Sequence, residues 1–130
     1  MALPIMRLPI LLFMAVMTFP WPSYAASTSF TCNFPVVASP SGVTKKSKMF
    51  EFSFLSDATN NKAYVLGNAG SSEVTAIQNQ EGGITFVETT DSGNVMVTAI
   101  TSSGDAVHSR NGIILGKLIP SQYYGKCTIQ

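Results

Sequence analysis

The chain reads as a small all-β domain: an antiparallel meander of about eight strands, with a closed barrel favoured over a sandwich. Three observations lead there. Short β-type runs recur at a spacing of roughly ten residues, each bounded by turn residues. No stretch beyond Ser29 sustains a helical period with caps. Two cysteines, Cys32 and Cys127, stand in the first and last of these runs. A bridge between them would join strands that are neighbours when the sheet closes on itself.

The runs follow one another regularly. Residues 30–37 open the series, and Pro40, Ser41 and Gly42 end the first run. Phe50, Phe52 and Phe54 then alternate with Glu51 and Ser53, the period of a strand with one buried face. Three phenylalanines on that face carry enough apolar area to organise a core. A turn at residues 56–61 leads to Ala63–Leu66, and Asn68 to Ser71 turns the chain into Val74–Ile77. Gly82 and Gly83 precede a strand at residues 84–88, and Ser92, Gly93 and Asn94 precede one at residues 95–100. Ser103, Gly104 and Asp105 lead to residues 106–109. Asn111-Gly112 follows, a pair suited to the positive φ angles of a two-residue hairpin. Such a turn pairs His108 with Leu115 and Arg110 with Ile113, making residues 113–115 a new strand. Residues 123–129 form the last one, with Gly125 permitting a bulge before Cys127.

The first 25 residues differ from all of this. Arg7 is the only charge before Lys45, residues 8–19 are almost wholly apolar, and Pro20, Trp21 and Pro22 end any helix. Ser23 and Ala25 supply small residues at a cleavage site, so residues 1–25 read as a secretory signal peptide. The apolar run is shorter than the roughly 20 residues a membrane-spanning helix needs. The expected product is a single domain over residues 26–130, periplasmic or secreted, without a stable membrane anchor after cleavage. That compartment is oxidising, and two cysteines allow one intramolecular disulfide.

Composition narrows the function classes. Residues 26–130 carry seven Lys and Arg against seven Asp and Glu, a balance that argues against a nucleic-acid partner. Lys45, Lys46 and Lys48 cluster, as a solvated approach to a strand would. Two thiols and a single histidine without CxxC spacing do not make a metal site, and no cofactor motif is present. His108 is the only histidine. Asp105 and Ser109 lie close to it in sequence, but neighbouring strand residues point to opposite faces, so no triad forms with Ser109. Glu81, Glu88 and Asp91 are expected at or near turns. His108, Arg110, Tyr123 and Tyr124 form the candidate partner-binding surface, because tyrosine and arginine are enriched at interfaces. The alternative for the tyrosines is to cover the barrel's open end.

The runs Ala63–Asn68, Asp105–Arg110 and Pro120–Gly125, with Cys127 after them, resemble small exported bacterial proteins of unassigned function, which implies a periplasmic address. A looser likeness, carried by Phe30-Thr31-Cys32 and Cys127, is to periplasmic inhibitors of C-type lysozyme. That resemblance implies an eight-stranded barrel. Their inhibitory loop reads Ser-Gly-x-x-Tyr; here Ser41-Gly42, Ser92-Gly93 and Ser103-Gly104 all lack the tyrosine. The functional expectation is a non-enzymatic protein that works by binding, foremost another envelope or extracellular protein. Lysozyme inhibition and carriage of a small molecule at the barrel mouth are the alternatives.

Overall fold

Phenylalanine at alternate positions decides which side of the sheet becomes the inside. The computed structural model describes residues 26–130, with residues 2 and 19. The expected leader otherwise lies outside the described residues. Eight strands follow in order: β1 (Ser27–Ser39), β2 (Gly42–Asp57), β3 (Lys62–Gly67), β4 (Gly70–Gln78), β5 (Ile84–Thr89), β6 (Val95–Ile100), β7 (Asp105–Ile114) and β8 (Lys117–Ile129). Each pairs with its chain neighbours in antiparallel fashion, and β8 returns to β1, so the sheet is a closed barrel. Closure leaves no strand unpaired along a whole side, although the ladder is incomplete toward one end.

Inward positions hold the core. Phe30, Cys32 and Phe34 of β1, Phe52 and Phe54 of β2, Ile84 and Phe86 of β5, and Ile100 of β6 are all buried. Phe54 and Phe86 stack with ring centroids 4.2 Å apart, and Phe30 meets Phe86 edge-on at 5.3 Å. Such pairs contribute about 0.5–1.5 kcal/mol each beyond the apolar area they bury. Outward positions such as Thr31, Asn33, Ser53, Glu73 and Gln122 are polar. Apolar-inside and polar-outside alternation is the reverse of a barrel that crosses a bilayer.

The closing seam between β1 and β8 carries the crosslink. Cys32 and Cys127 are register partners, both buried, and joined by a disulfide. Opposite Gly125 the seam is irregular: Asn33 pairs with Lys126 and Val36 with Tyr124, leaving Phe34 and Pro35 against a single residue. The bulge therefore belongs to β1, where Pro35 has no N–H to offer a ladder. Gly125 is needed because a Cβ there would overlap the Asn33 carbonyl oxygen and come within 2.8 Å of the Phe34 Cα. On its other side β1 pairs Phe34 with Phe50 and Val36 with Lys45, so residues 46–49 form a wide bulge in β2. The lysine cluster thus sits within a strand and not in a loop leading to one.

The expected hairpin at Asn111-Gly112 is not where the chain turns. Both residues continue β7, where Asn111 pairs with Pro120 and Gly112 with Ile119. The two-residue turn is Leu115-Gly116, with φ of 50° and 73°. His108 accordingly faces Tyr123 and Arg110 faces Ser121, in place of Leu115 and Ile113. Long-range constraints override the local turn preference. This register buries Ala106, His108 and Tyr123 and brings Cys127 level with Cys32.

The disulfide closes a loop of 95 residues. In the chain-entropy picture, a loop of that size destabilises the unfolded state by about 4–5 kcal/mol. Reduction, or replacement of both cysteines by alanine, is expected to lower unfolding free energy by about 2–5 kcal/mol. Urea titrations with and without reductant would measure the difference.

Candidate functional site

The hairpins β1–β2, β3–β4, β5–β6 and β7–β8 all turn at one end of the barrel, which forms its mouth. The opposite end holds the turns at residues 58–61, 79–83 and 101–104, and it is tied down locally. Asp57 accepts from the Thr59 and Asn60 amides at 3.0 and 3.2 Å, Asn79 from those of Glu81 and Gly83 at 3.0 and 2.9 Å, and Thr101 from Asp105 at 3.0 Å. Short polar side chains here substitute for the missing ladder bonds.

At the mouth the ladder is incomplete. β2 pairs with β3 only from Ser53 onward, so Phe50 and Phe52 have β1 on one side and no strand on the other. An open cleft of about 970 Å³ lies there. Phe50, Phe52 and Val65 give it an apolar floor, Met96, His108 and Arg110 come from the far wall, and Lys46 and Lys48 stand at its edge. Glu88 also lines it, placed inward on β5 and paired with Met96, so it is a strand residue and not a turn residue.

His108 departs furthest from the sequence reading. It lies inside the barrel, 3% exposed, and not on a surface at the rim. Rings of Phe34, Phe50, Phe52 and Tyr123 surround it at centroid distances of 4.9–5.9 Å. Its Nδ1 is 2.7 Å from the Thr98 hydroxyl, directly across the β6–β7 ladder. Nε2 is buried and has no hydrogen-bond partner. That holds for either tautomer, and an orphaned buried polar atom of this kind costs about 1–3 kcal/mol. Burial, and then the positive charge of Arg110, push the imidazole from 6.5 down to about 4.

Arg110 is two residues further along the same inward face. Its guanidinium carbon lies 5.8 Å from the Phe50 ring centroid. The ion pairs among the described residues are Lys62–Glu73 and Lys126–Asp105, so Arg110 has no carboxylate within pairing distance. Tyr123 is buried beside Phe50 at 5.0 Å, with Lys46 5.2 Å from its ring centroid on the mouth side. Tyr124 points outward, where its hydroxyl donates to Gln122 at 2.7 Å. Of the four expected surface residues, three converge inside the mouth and Tyr124 stands apart. The sequence reading did not find Phe50, Met96 and Glu88 as neighbours of this site; their inward parity with Arg110 was the available signal.

Asp105 is held by Lys126 at 2.7 Å, which keeps its carboxyl below the usual range, and it makes no contact with His108. No group of three metal-ligating side chains occurs among the described residues. No family model, no curated protein and no solved structure matches this chain.

The depressed His108 value links acidity to stability. An unfolded imidazole takes up a proton as pH falls below about 6.5, whereas the folded one resists until about 4. Stability is therefore full above pH 6.5 and declines as pH falls toward 4. The loss between pH 7.5 and 5 is expected to be about 2 kcal/mol. The Asp57 and Asp105 carboxyls, both lowered from 3.8, contribute below that window. Urea midpoints at the two pH values test this, and His108→Phe should flatten the difference.

Proposed function

We propose that this chain is a non-enzymatic binding protein of the periplasm or cell exterior that holds one small amphipathic anion in the barrel mouth. The observation that carries the reading is Arg110, which has no carboxylate within pairing distance although Glu88 lines the same cleft, set against the Phe50 ring within an open cleft of about 970 Å³. Ligand pockets commonly span about 300–1,000 Å³ and combine an apolar lining with a few placed polar groups. Here the apolar body of a ligand would lie on Phe50, Phe52 and Val65, and its anionic head on Arg110. A polar atom following the head inward would satisfy His108 Nε2. Lys46 and Lys48 at the edge would draw an anion toward the opening.

The other half of the barrel is filled by Phe30, Phe54, Ile84, Phe86 and Ile100, so a ligand would occupy only the mouth. The disulfide supports an oxidising compartment outside the cytoplasm. The absence of enzymatic activity belongs to the same proposal: the only imidazole has Thr98 as its partner, and both thiols are consumed in the crosslink. A second reading keeps the site and changes the guest. A protein partner could present an acidic side chain to Arg110, a reading favoured by the polar β3–β4 tip at Asn68, Ser71 and Ser72 beside the cleft. Lysozyme inhibition would be its specific form.

Titration calorimetry with dodecanoate as probe tests the first reading. Saturable one-to-one binding is expected, weakened at least about tenfold by Arg110→Gln, since one charge-assisted hydrogen bond is worth about 1.5–3 kcal/mol. Heat that stays unsaturable, or is unchanged in the variant, would remove the small-molecule reading. Inhibition of a C-type lysozyme by the same preparation would then favour the second.

A further inference from the structure

Among residues 26–130 the β7–β8 hairpin carries the densest run of exposed aliphatic side chains. Ile113, Ile114, Leu118 and Ile119 are all about half exposed or more, and Leu115 at the tip is 96% exposed. Val43 on the adjacent β1–β2 hairpin is 74% exposed. Scattered surface aliphatics are ordinary, but a contiguous cluster at one tip marks an interaction site. The core does not use these side chains, because the register that buries Tyr123 and Cys127 carries them past the barrel wall.

Two further observations choose the occupant. Lys117 follows Gly116 at the tip, and Lys45, Lys46, Lys48 and Arg110 lie on the strands at the same end. None of the five has a carboxylate within pairing distance, since both ion pairs of the described residues involve other residues. Against these five cations the mouth end carries Glu51, Glu88 and Asp91, so within a balanced segment the mouth end is net positive and the rest, with Lys62 and Lys126 against Asp57, Glu73, Glu81 and Asp105, is net negative. The second observation is reach. From Ile113 to Leu115 the hairpin extends roughly 7 Å, two steps of about 3.3 Å, within the 5–10 Å depth of shallow interfacial insertion. An apolar tip with unpaired Lys117 beside it, at the positively charged end of the barrel, fits a surface that is anionic outside and hydrocarbon beneath.

We propose that the mouth end docks on an anionic lipid bilayer, with Ile113, Leu115 and Leu118 inserted below the headgroups, Lys117 paired with lipid phosphates, and the β2 lysines, level with Tyr124 further up the barrel, adding attraction to the anionic surface without contact. The proposal is independent of any ligand in the cleft.

Flotation with phosphatidylcholine vesicles, with and without phosphatidylglycerol at three parts in ten, provides the test. Binding is expected to the mixed vesicles, at least tenfold weaker to the neutral ones and weaker again in high salt. A variant carrying Ile113→Ser, Leu115→Ser and Leu118→Ser should lose binding tenfold or more while keeping its melting temperature. Leu118→Trp gives a second measurement, because residues 26–130 contain no tryptophan. Its emission should shift to the blue with mixed vesicles and not with neutral ones. Protein that fails to float with mixed vesicles, or a triple-serine variant that binds equally well, would overturn the proposal. A lipid-free dimer that the triple variant abolishes would also overturn it, assigning the tip to a second copy of the chain.

Discussion

Closure of the sheet through β1 and β8 is the constraint on which the other features depend. The two strands meet around Gly125, whose missing side chain lets the Asn33 carbonyl approach, and the sulfur bridge beside it fixes their relative height. Once that height is set, Tyr123 falls inside beside Phe50, and β7 must align with β8 so that His108 meets Tyr123. The position of the imidazole is thus a consequence of the seam. It is held inside a cage of rings by a register that the cysteines help define.

The same constraint divides the barrel into unlike halves. Toward the termini, alternate phenylalanines and aliphatics fill the interior as one buried cluster. Toward the hairpins, β3 is too short to accompany β2, and residues 46–49 bulge out of the β1–β2 ladder. Polar groups accumulate on the inward face of this half: Thr98, His108, Arg110 and Glu88 occupy positions that would be aliphatic in a sealed barrel. The unpartnered Nε2 destabilises the isolated protein, and the Arg110 guanidinium has no carboxylate within pairing distance. Such departures from local consistency concentrate where a molecule has something to bind.

Much of the architecture was legible from residue order. Alternation in Phe50-Glu51-Phe52-Ser53-Phe54 gave β2 its buried face, and the turn residues near 58, 79, 91 and 103 marked real reversals. The cysteine positions implied closure. The hairpin near residue 112 was misread because Asn111-Gly112 satisfies every local criterion for a tight turn. What defeats it lies 11 and 15 residues beyond Gly112, in Tyr123 and Cys127, and a local rule cannot weigh that contribution. The error had a cost for the site, since it placed His108 and Arg110 on an outer sheet face. Strand parity places Arg110 with His108, but only the true register shows that the shared face is the inside.

The course of the strands also fixes where the two chain ends of the described domain lie. Residue 29 exchanges both backbone hydrogen bonds with residue 130, at 2.8 and 3.0 Å, on the side remote from the four hairpin tips. A fluorophore, affinity handle or solid support joined at Gln130 would thus leave the opening turned toward solution. Immobilised protein should keep the cleft accessible, whereas a label placed near Ser41 or Gly116 would obstruct it.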